Sequence, residues 1–462
     1  MSNPKDYDLV ILGSGETGKH LAWTLAAQGQ QVVLVERQFI GGSCPNIACL
    51  PSKNVIHSAK VASLARRGAE FGIGIGECTI DMAAVRERKR KMVNDLVDLH
   101  LGKFKASGAE LVIGEGRFTG PRTLEVVLRN GGTRLLRGRN VVINTGSRTT
   151  MDTTPGLREA QPLTHIEALD LDHVPEHLLV LGGGYVGLEL AQAFRRFGAR
   201  VTIVERNSAL IHREDPDISD AMEQLFHDEG IEVFTDTVVD SITGFSGQAV
   251  QVQGTRKGSS VMLECSHLLV ATGRTPNTGG IGLELAGVKL DERGHVKVNE
   301  RLQTTTEGVW AAGDCAGSPH FTHIAYDDFR IIRDNLAGEH RVTTGRQVPS
   351  CIFTDPELAR VGLNEREAKD AGIPYRLAKI SMKAVARTWT LSEPRGLMKA
   401  LIEADGDRIL GFIAFGVEAG EVMAVVQVAM ANNLPFTVLR DSVLTHPTIA
   451  EGLGVLFSAI HE

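Results

Sequence analysis

The sequence predicts an α/β protein in which one strand–turn–helix–strand unit occurs twice. Three observations support this fold class: two glycine-rich turns, a helical pattern after each turn, and a following strand that ends on a glutamate. The chain has 462 residues, of which 50 are glycine, without low-complexity tracts. At roughly 150 residues per domain, this length predicts about three domains.

The first unit stands near the start of the chain, and its turn is GSGETG. In such a turn the first glycine makes the bend, the second lets a pyrophosphate approach the backbone, and the third packs the helix against the strand. The predicted elements are a strand over 7–12, a helix over about 16–29 and a strand over 32–35. The residues predicted to bind a dinucleotide here are Gly13, Gly15, Gly18 and, as acceptor for the ribose hydroxyls, Glu36.

The second unit repeats this arrangement with the turn GGGYVG, a helix that ends near 197 and a strand over 201–204. The glutamate follows the first glycine at the same spacing in both copies, from 13 to 36 and from 182 to 205. A second dinucleotide is therefore predicted to bind at Gly182, Gly184, Gly187 and Glu205. Glu205 favours the free 2′-hydroxyl of NADH, although the adjacent Arg206 leaves NADPH open.

Charge and hydropathy limit the classes of function. The 49 basic and 56 acidic side chains give a net charge of −7, which argues against nucleic acid as a partner. No apolar run approaches the roughly 18 residues of a membrane helix, so no membrane association is expected. The N-terminus lacks a basic segment followed by an apolar stretch, so we expect a cytoplasmic protein. In that compartment a cysteine pair is more often redox-active or metal-binding than structural.

Two of the six cysteines, Cys44 and Cys49, lie close together in GGSCPNIACLPSK. In a regular helix, positions five apart are separated by roughly 8 Å, whereas a disulfide requires Cα atoms within about 7 Å. A disulfide between them therefore needs a distorted turn that enters a helix, and Pro45 and Pro51 make an irregular path plausible. Two alternatives stay open: a pair of small buried residues, or half of a zinc site, for which no matching second cysteine pair exists.

Together with four further segments, this motif resembles the class I pyridine nucleotide–disulfide oxidoreductases, which include glutathione reductase, dihydrolipoamide dehydrogenase and mercuric reductase. The segments are ATGRTPN from Ala271, TTTEGVWAAGDCAG from Thr304, FTDPELARVG from Phe353 and THPTIAE from Thr445. The resemblance covers nearly the whole chain. It implies two Rossmann-like dinucleotide-binding domains, for FAD and for NAD(P), and a C-terminal α+β dimerisation domain. The implied boundaries are 1–147 for the FAD domain with its redox disulfide, 148–272 for the NAD(P) domain, 273–345 for a central segment that completes the FAD site and 346–462 for the dimerisation domain.

The resemblance also implies a route for electrons from NAD(P)H through FAD and a Cys44–Cys49 disulfide to an acceptor. Cys49 is the thiol next to the flavin, and Cys44 exchanges with the acceptor. His446, oriented by Glu451, would take and return the proton; both would come from the partner in a homodimer with shared active sites. The other catalytic residues implied are Lys53 and Glu189, an ion pair near the flavin, and Tyr185, which gates the nicotinamide pocket. Further cofactor-binding residues implied are Gly42, Ser43, Lys53, Gly116, Thr145, Gly146, Ser147, Val186, Val238, Gly273 and Asp314, of which Asp314 holds the ribityl chain of FAD.

Within the family, PHFTHIAYDDFR from Pro319 and LRDSVLTHPTIAEGL from Leu439 are most similar to bacterial reductases induced by reactive chlorine species and to mercuric-reductase-like proteins. We predict a small disulfide or an oxidant as the electron acceptor. The alternatives are a metal ion, Hg(II) or Cu(II), since soft ions suit thiolates, and dihydrolipoamide dehydrogenase activity. No cysteine follows Cys351, which weakens mercury reduction. A flavoprotein that only binds or assembles is disfavoured by the complete set of implied catalytic residues.

Overall fold

The N-terminal segment forms a parallel sheet around its first strand. The computed structural model describes residues 3–460. The elements of this segment are β1 (Lys5–Leu12), α1 (Glu16–Ala27), β2 (Val32–Glu36), α2 (Ser43–Asn46), α3 (Cys49–Arg66), α4 (Met82–Ser107), β3 (Glu110–Gly120), β4 (Thr123–Leu128), β5 (Thr133–Ile143) and β6 (Ser147–Thr149). Helix α1 ends earlier than the sequence predicts, because Gly29 adopts a positive φ of 89° that ends a helix.

The carboxyl end of β1 lies at the point where the direction of strand order reverses. β1 pairs in parallel with β2 on one side and with β5 on the other, so that Leu12 stands opposite both Val35 and Ile143. Beyond the parallel sheet, β3 and β5 continue and pair with β4 in an antiparallel layer. Ligands of open α/β sheets bind in the crevice at such a reversal. The GSGETG turn follows β1 directly and therefore lies in this crevice.

The second unit repeats this plan with shorter strands. Its elements are α5 (His165–Ala168), β7 (His177–Leu181), α6 (Tyr185–Phe197), β8 (Arg200–Val204), α7 (Pro216–Asp228), β9 (Glu232–Phe234), β10 (Thr237–Phe245), β11 (Ala249–Arg256), β12 (Ser259–Cys265), β13 (His267–Val270) and β14 (Arg274–Pro276). A parallel sheet has the order β13–β7–β8–β9, and β10, β11 and β12 form an antiparallel layer. The GGGYVG turn joins β7 to α6, in the same place that the GSGETG turn has in the first unit.

The chain then returns to the first sheet before it forms its last one. Strand β15 (Val309–Ala311) pairs in parallel with β5, and helix α8 (Thr322–Leu336) packs on α1. The C-terminal elements are β16 (Ser350–Ile352), β17 (Glu357–Gly362), α9 (Glu365–Asp370), β18 (Tyr375–Ser381), α10 (Ala386–Thr390), β19 (Leu397–Glu403), β20 (Ile409–Gly416), α11 (Ala419–Ala431), α12 (Phe436–Asp441) and α13 (Gly452–Ser458). Their strands form an antiparallel sheet in the order β16–β17–β20–β19–β18.

A buried ion cluster joins the second unit to the C-terminal sheet. Lys399 is fully buried, and its Nζ lies 2.7 Å from Asp215, 3.0 Å from Asp217 and 2.7 Å from Glu365. Within residues 3–460 these carboxylates are the one group of three potential metal ligands, and the ammonium group takes the position of a cation among them. The cluster is therefore a structural contact between two sheets. None of the helices in the same range is long and apolar enough to cross a membrane.

Candidate functional site

A cleft of about 2550 Å³ opens between the two repeated units and the C-terminal sheet. Its walls are formed by the GSGETG turn, the cysteine segment, the start of α8 and parts of the second unit. The sequence-predicted residues that line it are Gly13, Gly15, Glu36, Gly42, Ser43, Cys44, Cys49, Lys53, Gly116, Thr145, Gly146, Ser147, Tyr185, Val186, Glu189 and Asp314. Folding thus brings widely separated segments of the sequence to one cavity.

Asn144, which follows β5, holds the GSGETG turn in place. Its Oδ1 accepts a hydrogen bond from Gly18 N at 3.0 Å, and its Nδ2 donates to the carbonyl of Ala312 at 3.0 Å. A Cβ at Gly13 would lie 2.3 Å from the carbonyl oxygen of Asn144, so this position requires glycine. The first turn of α1 has no side-chain cap, and its amide groups remain available to a phosphate. The turn therefore fits the pyrophosphate of FAD.

The GGGYVG turn is built in the same way and leaves open space at its second glycine. A Cβ at Gly182 would approach the carbonyl oxygen of Ala271 to 2.5 Å, and one at Gly187 would approach that of Gly182 to 2.1 Å. At Gly184, in contrast, a Cβ would meet no atom within 4 Å. Helix α6 begins there without a side-chain cap. Open space beside free amide groups fits the pyrophosphate of a second dinucleotide.

Each of the two glutamates braces its own turn. Glu36 accepts a hydrogen bond from Ser14 N at 2.9 Å, and Glu205 accepts one from Gly183 N at 2.7 Å. Both side chains are buried. A carboxylate offers about four acceptor positions. Glu205 accepts three hydrogen bonds within the chain and keeps one position for a ribose hydroxyl, whereas Glu36 accepts four, from Ser14 N, Ser14 Oγ, Gln38 N and Phe39 N. A ribose hydroxyl at Glu36 would therefore have to share or displace one of these bonds.

The two cysteines lie on either side of a break between two helices. Cys44 belongs to α2, and Cys49 is the first residue of α3. Ala48 adopts φ −128° and ψ −104°, which lies outside the helical region. This is the distorted turn that a disulfide between the cysteines requires. Both thiols are free in the structure, and Thr322 Oγ1 lies 3.4 Å from the sulfur of Cys49.

The two thiols differ in acidity. Hydrogen bonding from Cys44 is the largest effect on Cys49 and, with help from Thr322 and the charge of Lys53, lowers the pKa of Cys49 to about 6 against the effect of burial. The same contact with Cys49, followed by burial, raises the pKa of Cys44. In the reduced pair, these shifts favour the thiolate at Cys49 and the protonated thiol at Cys44.

An ion pair bridges α3 and α6 at the floor of the cleft. Lys53 Nζ lies 2.7 Å from Glu189 Oε2, and Glu189 Oε1 accepts a hydrogen bond from Phe353 N at 2.9 Å. The ring of Phe353 lies below the ammonium group, with 4.6 Å between Nζ and the ring centroid. Tyr185 is the first residue of α6, four residues before Glu189, and its ring centroid lies 6.1 Å from that of Phe321. The ammonium group of Lys53 is thus held by contacts with two other parts of the chain, at Glu189 and Phe353.

Asp314 stands at the other end of the cleft within a small polar network. The hydroxyl of Ser147 donates a hydrogen bond to its carboxylate, and Arg274 Nε donates to Ser147 Oγ at 2.7 Å. Arg274 Nε also lies 3.6 Å from the carboxylate. This orientation leaves the second carboxylate oxygen of Asp314 free to accept hydrogen bonds from a ribityl chain.

His446 and Glu451 form a pair outside the cleft of their own chain. His446 Nδ1 lies 2.9 Å from Glu451 Oε2, and the histidine side chain is 70% exposed. Neither residue belongs to the described residues that line the cleft. The exposed imidazole is therefore accessible to a second copy of the chain.

Nine predicted residues do not line the cleft, and three important ones were missed. The nine are Gly18, Gly182, Gly184, Gly187, Glu205, Val238, Gly273, His446 and Glu451. Among them, Val238 on β10 is 55% exposed, and Gly273 precedes β14. The missed residues are Asn144, Thr322 and Phe353. Thr322 and Phe353 belong to segments with recognisable motifs, which is the signal that could have found them. Their contacts with Cys49 and Glu189 exist only in the folded chain.

Comparison with known proteins identifies the family. A family model described as pyridine nucleotide-disulphide oxidoreductase matches residues 7–328, and the model of the dimerisation domain of the same family matches residues 348–456. The chain belongs to this family. The resemblance stated from the motifs and the predicted fold class are thereby confirmed. Members of the family contain FAD and use NAD(P)H, which confirms the predicted cofactors.

Individual relatives cover nearly the whole length of the chain. The probable pyridine nucleotide-disulfide oxidoreductase RclA of Escherichia coli (strain K12) is 34% identical over 98% of this chain and 99% of its own. A mercuric reductase of Streptomyces lividans is 36% identical over 97% of this chain and 94% of its own. A solved Cu(II) complex of RclA, described as a HOCl-induced flavoprotein disulfide reductase, matches with a TM-score of 0.89 at 33% identity, over 98% of this chain and 99% of that one. The chain is thus a pyridine nucleotide-disulphide oxidoreductase with a dimerisation domain, which supports a homodimer.

Proposed function

We propose that this chain is an NADH-preferring flavoprotein reductase that works as a cytoplasmic homodimer. FAD would supply the redox chemistry between NAD(P)H and the Cys44–Cys49 disulfide. Cys49 would be the thiol on the flavin side of that disulfide, and Cys44 would be the thiol that attacks a small disulfide or an oxidant. The division of the chain after residues 147, 272 and 345 is part of this proposal.

The observation that supports the proposal most is that Cys44 and Cys49 lie on either side of a break between two helices, in the cleft that also contains the Lys53–Glu189 pair. A thiolate attacks a disulfide or an oxidant, whereas a thiol does not. Because the pKa of Cys44 is raised, Cys44 needs a base before it can attack. An imidazole is suited to take that proton at neutral pH. His446, oriented by Glu451 and exposed outside its own cleft, is the base that a second chain could supply.

Lys53 and Glu189 form the ion pair that would stabilise negative charge on the nicotinamide side of the cleft. The ammonium group of Lys53 offers a fixed positive charge where negative charge arrives, and Glu189 keeps that charge in position. Glu189 is itself anchored by the main chain at Phe353. Tyr185 covers the approach to this pair. These residues hold charge and orientation, while the cysteines carry the thiol chemistry.

Mixed dimers test the shared active site directly. Cys44→Ser removes the attacking thiol, and His446→Gln removes the base, so each homodimer alone should be inactive with a disulfide acceptor. If His446 acts across the dimer, a mixed dimer contains one intact site, formed by Cys44 of one chain and His446 of the other. Random mixing should then restore about a quarter of the wild-type activity, because half of the dimers are mixed and each has one working site.

Restored activity after unfolding and refolding of the two variants together supports the proposal. Mixed dimers without activity would show that His446 is the base for Cys44 of its own chain, or that it is not the base at all. Mixing Cys44→Ser with Cys49→Ser is the matched control, since no site in that mixture holds both cysteines.

Reduction of a metal ion is the second candidate function. The observation that favours it is the pair of adjacent thiols, since soft metal ions bind thiolates, and the related RclA structure is described as a Cu(II) complex. Anaerobic NADH consumption with lipoamide, glutathione disulfide, hypothiocyanite, Cu(II) and Hg(II) separates the candidates. Turnover with a metal ion and none with disulfides or hypothiocyanite would replace our proposal with this one.

A further inference from the structure

A second cavity, of about 540 Å³, lies where four parts of the chain meet. Its walls come from the end of α3, the end of α6, Glu229 just after α7 and the segment 392–395 before β19. The volume falls in the range of about 300–1,000 Å³ that small-molecule sites occupy. None of the cysteines, and neither glycine turn, is among the residues that line it. The proposed reductase mechanism does not use this cavity.

Arginine dominates the lining of this cavity. Its five arginines are Arg66, Arg67, Arg195, Arg196 and Arg395, and its two acidic residues are Glu229 and Glu393. Three of the five arginines form ion pairs. Arg196 lies 2.6 Å from Glu229 and 2.7 Å from Asp355, and Arg395 lies 2.5 Å from Glu393. Arg67 lies 2.8 Å from Glu70 and 3.7 Å from Glu393.

The other two arginines have no acidic partner among residues 3–460. Arg195 Nε donates to the carbonyl of Glu229 at 2.7 Å, and Arg66 donates to the carbonyl of Arg196. Main-chain carbonyls satisfy some N–H groups but do not neutralise charge. A guanidinium group has five N–H donors, so both side chains also keep donors for a ligand. Five arginines and four carboxylates thus meet at or next to the cavity, and neither Arg66 nor Arg195 contacts any of these carboxylates.

We propose that this cavity binds a small phosphate-bearing anion. A guanidinium group presents paired donors that match the oxygens of phosphate, and such charge-assisted bonds are stronger than neutral ones. The guanidinium groups of Arg66 and Arg195, which contact no carboxylate, can donate to a phosphate group, whose charge is about −1.5 to −2 near pH 7. The ligand lies between these two side chains, and the three ion-paired arginines form the rear wall.

The cavity lies at the C-terminal ends of the two helices that carry Lys53 and Glu189. Helix α3 begins at Cys49, carries Lys53 and ends at the cavity, and α6 begins at Tyr185, carries Glu189 and ends there too. At about 1.5 Å per residue, the two helices are roughly 27 and 20 Å long. An anion in the cavity would therefore hold together the far ends of the two helices that form the Lys53–Glu189 pair. It would also bind the segment 392–395 to them.

Inorganic pyrophosphate is the probe for this site. Calorimetric titration should use the FAD-loaded enzyme saturated with NAD⁺, so that both dinucleotide turns are occupied. We expect one saturable site per chain, with affinity that falls as salt is raised. Arg66→Gln/Arg195→Gln should weaken binding about tenfold or more, since each charge-assisted bond contributes about 1.5–3 kcal/mol and 1.4 kcal/mol is tenfold in affinity.

Arg137→Gln/Arg408→Gln is the matched control. Both of its arginines are exposed ion-pair partners that line neither this cavity nor the cleft, and the change in net charge is the same. Pyrophosphate should bind this control as it binds the wild type, and it should raise the melting temperature of both but not of the cavity variant. If the cavity variant does not bind FAD, Arg66→Gln alone serves, because Arg66 is exposed. Equal binding by all proteins, or no saturable binding by the wild type, would overturn the proposal.

Discussion

Replacing Glu189 by glutamine removes one charge from the floor of the cleft while it keeps the size of the side chain. The amide oxygen can still accept the hydrogen bond from Phe353 N, which is 2.9 Å long in the wild type. Lys53, however, loses the carboxylate that lies 2.7 Å from its Nζ. At an effective dielectric constant of about 20, two unit charges at this distance attract each other by about 6 kcal/mol.

Part of this attraction is offset, because pairing removes water from both groups and Lys53 keeps 32% of its side-chain exposure. We therefore expect about 1–3 kcal/mol of lost charge stabilisation at the flavin. Since 1.36 kcal/mol corresponds to a factor of ten in rate, hydride transfer from NADH to FAD should slow about 5- to 150-fold. Anaerobic stopped-flow reduction of the flavin by NADH measures this rate without the acceptor.

Glu214→Gln is the control for this experiment. Glu214 is also a buried glutamate of the second unit in an ion pair, with Arg360, but it does not line the cleft. Its replacement should reduce stability without slowing flavin reduction. If Glu189→Gln reduces its flavin as fast as the wild type, the charge of the Lys53–Glu189 pair has no part in hydride transfer.

Three further predictions concern stability and thiol acidity. Lys399→Met should lower the free energy of unfolding by about 3–5 kcal/mol in urea titrations, because three carboxylates lose their buried cation; a loss below about 1 kcal/mol would contradict this. Burial lowers the pKa of His165 to about 4, so the unfolded chain binds a proton below about pH 6.5 that the folded chain does not. The free energy of unfolding is unaffected by this difference above about pH 6.5 and decreases from there toward pH 4. A step from pH 7 to pH 5 should therefore lower the free energy of unfolding of the wild type by about 2 kcal/mol more than that of His165→Gln; equal pH dependence of the two proteins would refute this prediction. Finally, Cys44→Ala removes the largest effect on Cys49, so the pKa of Cys49 should rise from about 6 toward 9 in the pH dependence of iodoacetamide alkylation. If the midpoint of the alkylation profile stays near pH 6 in Cys44→Ala, Cys44 does not lower the pKa of Cys49.

The repeated units were predictable because their signals are local. A tight turn, a phosphate-binding helix start and the following glutamate lie within one short stretch of chain, so backbone geometry alone ties glycine to positions such as Gly13 and Gly182. The break in the helix between Cys44 and Cys49 was predictable from the same short stretch of chain. Five residues of regular helix would hold the two Cα atoms too far apart for a disulfide. The C-terminal sheet and the roles of His446 and Glu451 had no such local signal and came from the resemblance to a family.

The sequence by itself therefore determined the two dinucleotide turns, the cysteine pair and the family. Only the tertiary structure decided which distant groups act on them. Thr322 is 273 residues from Cys49 in the chain and yet contacts its sulfur, and Phe353 is 164 residues from the Glu189 that it anchors. Arg66 and Arg195 meet at one cavity only because α3 packs on α6. Charge, burial and acidity depend on distances in space, and those distances exist only after the chain has folded.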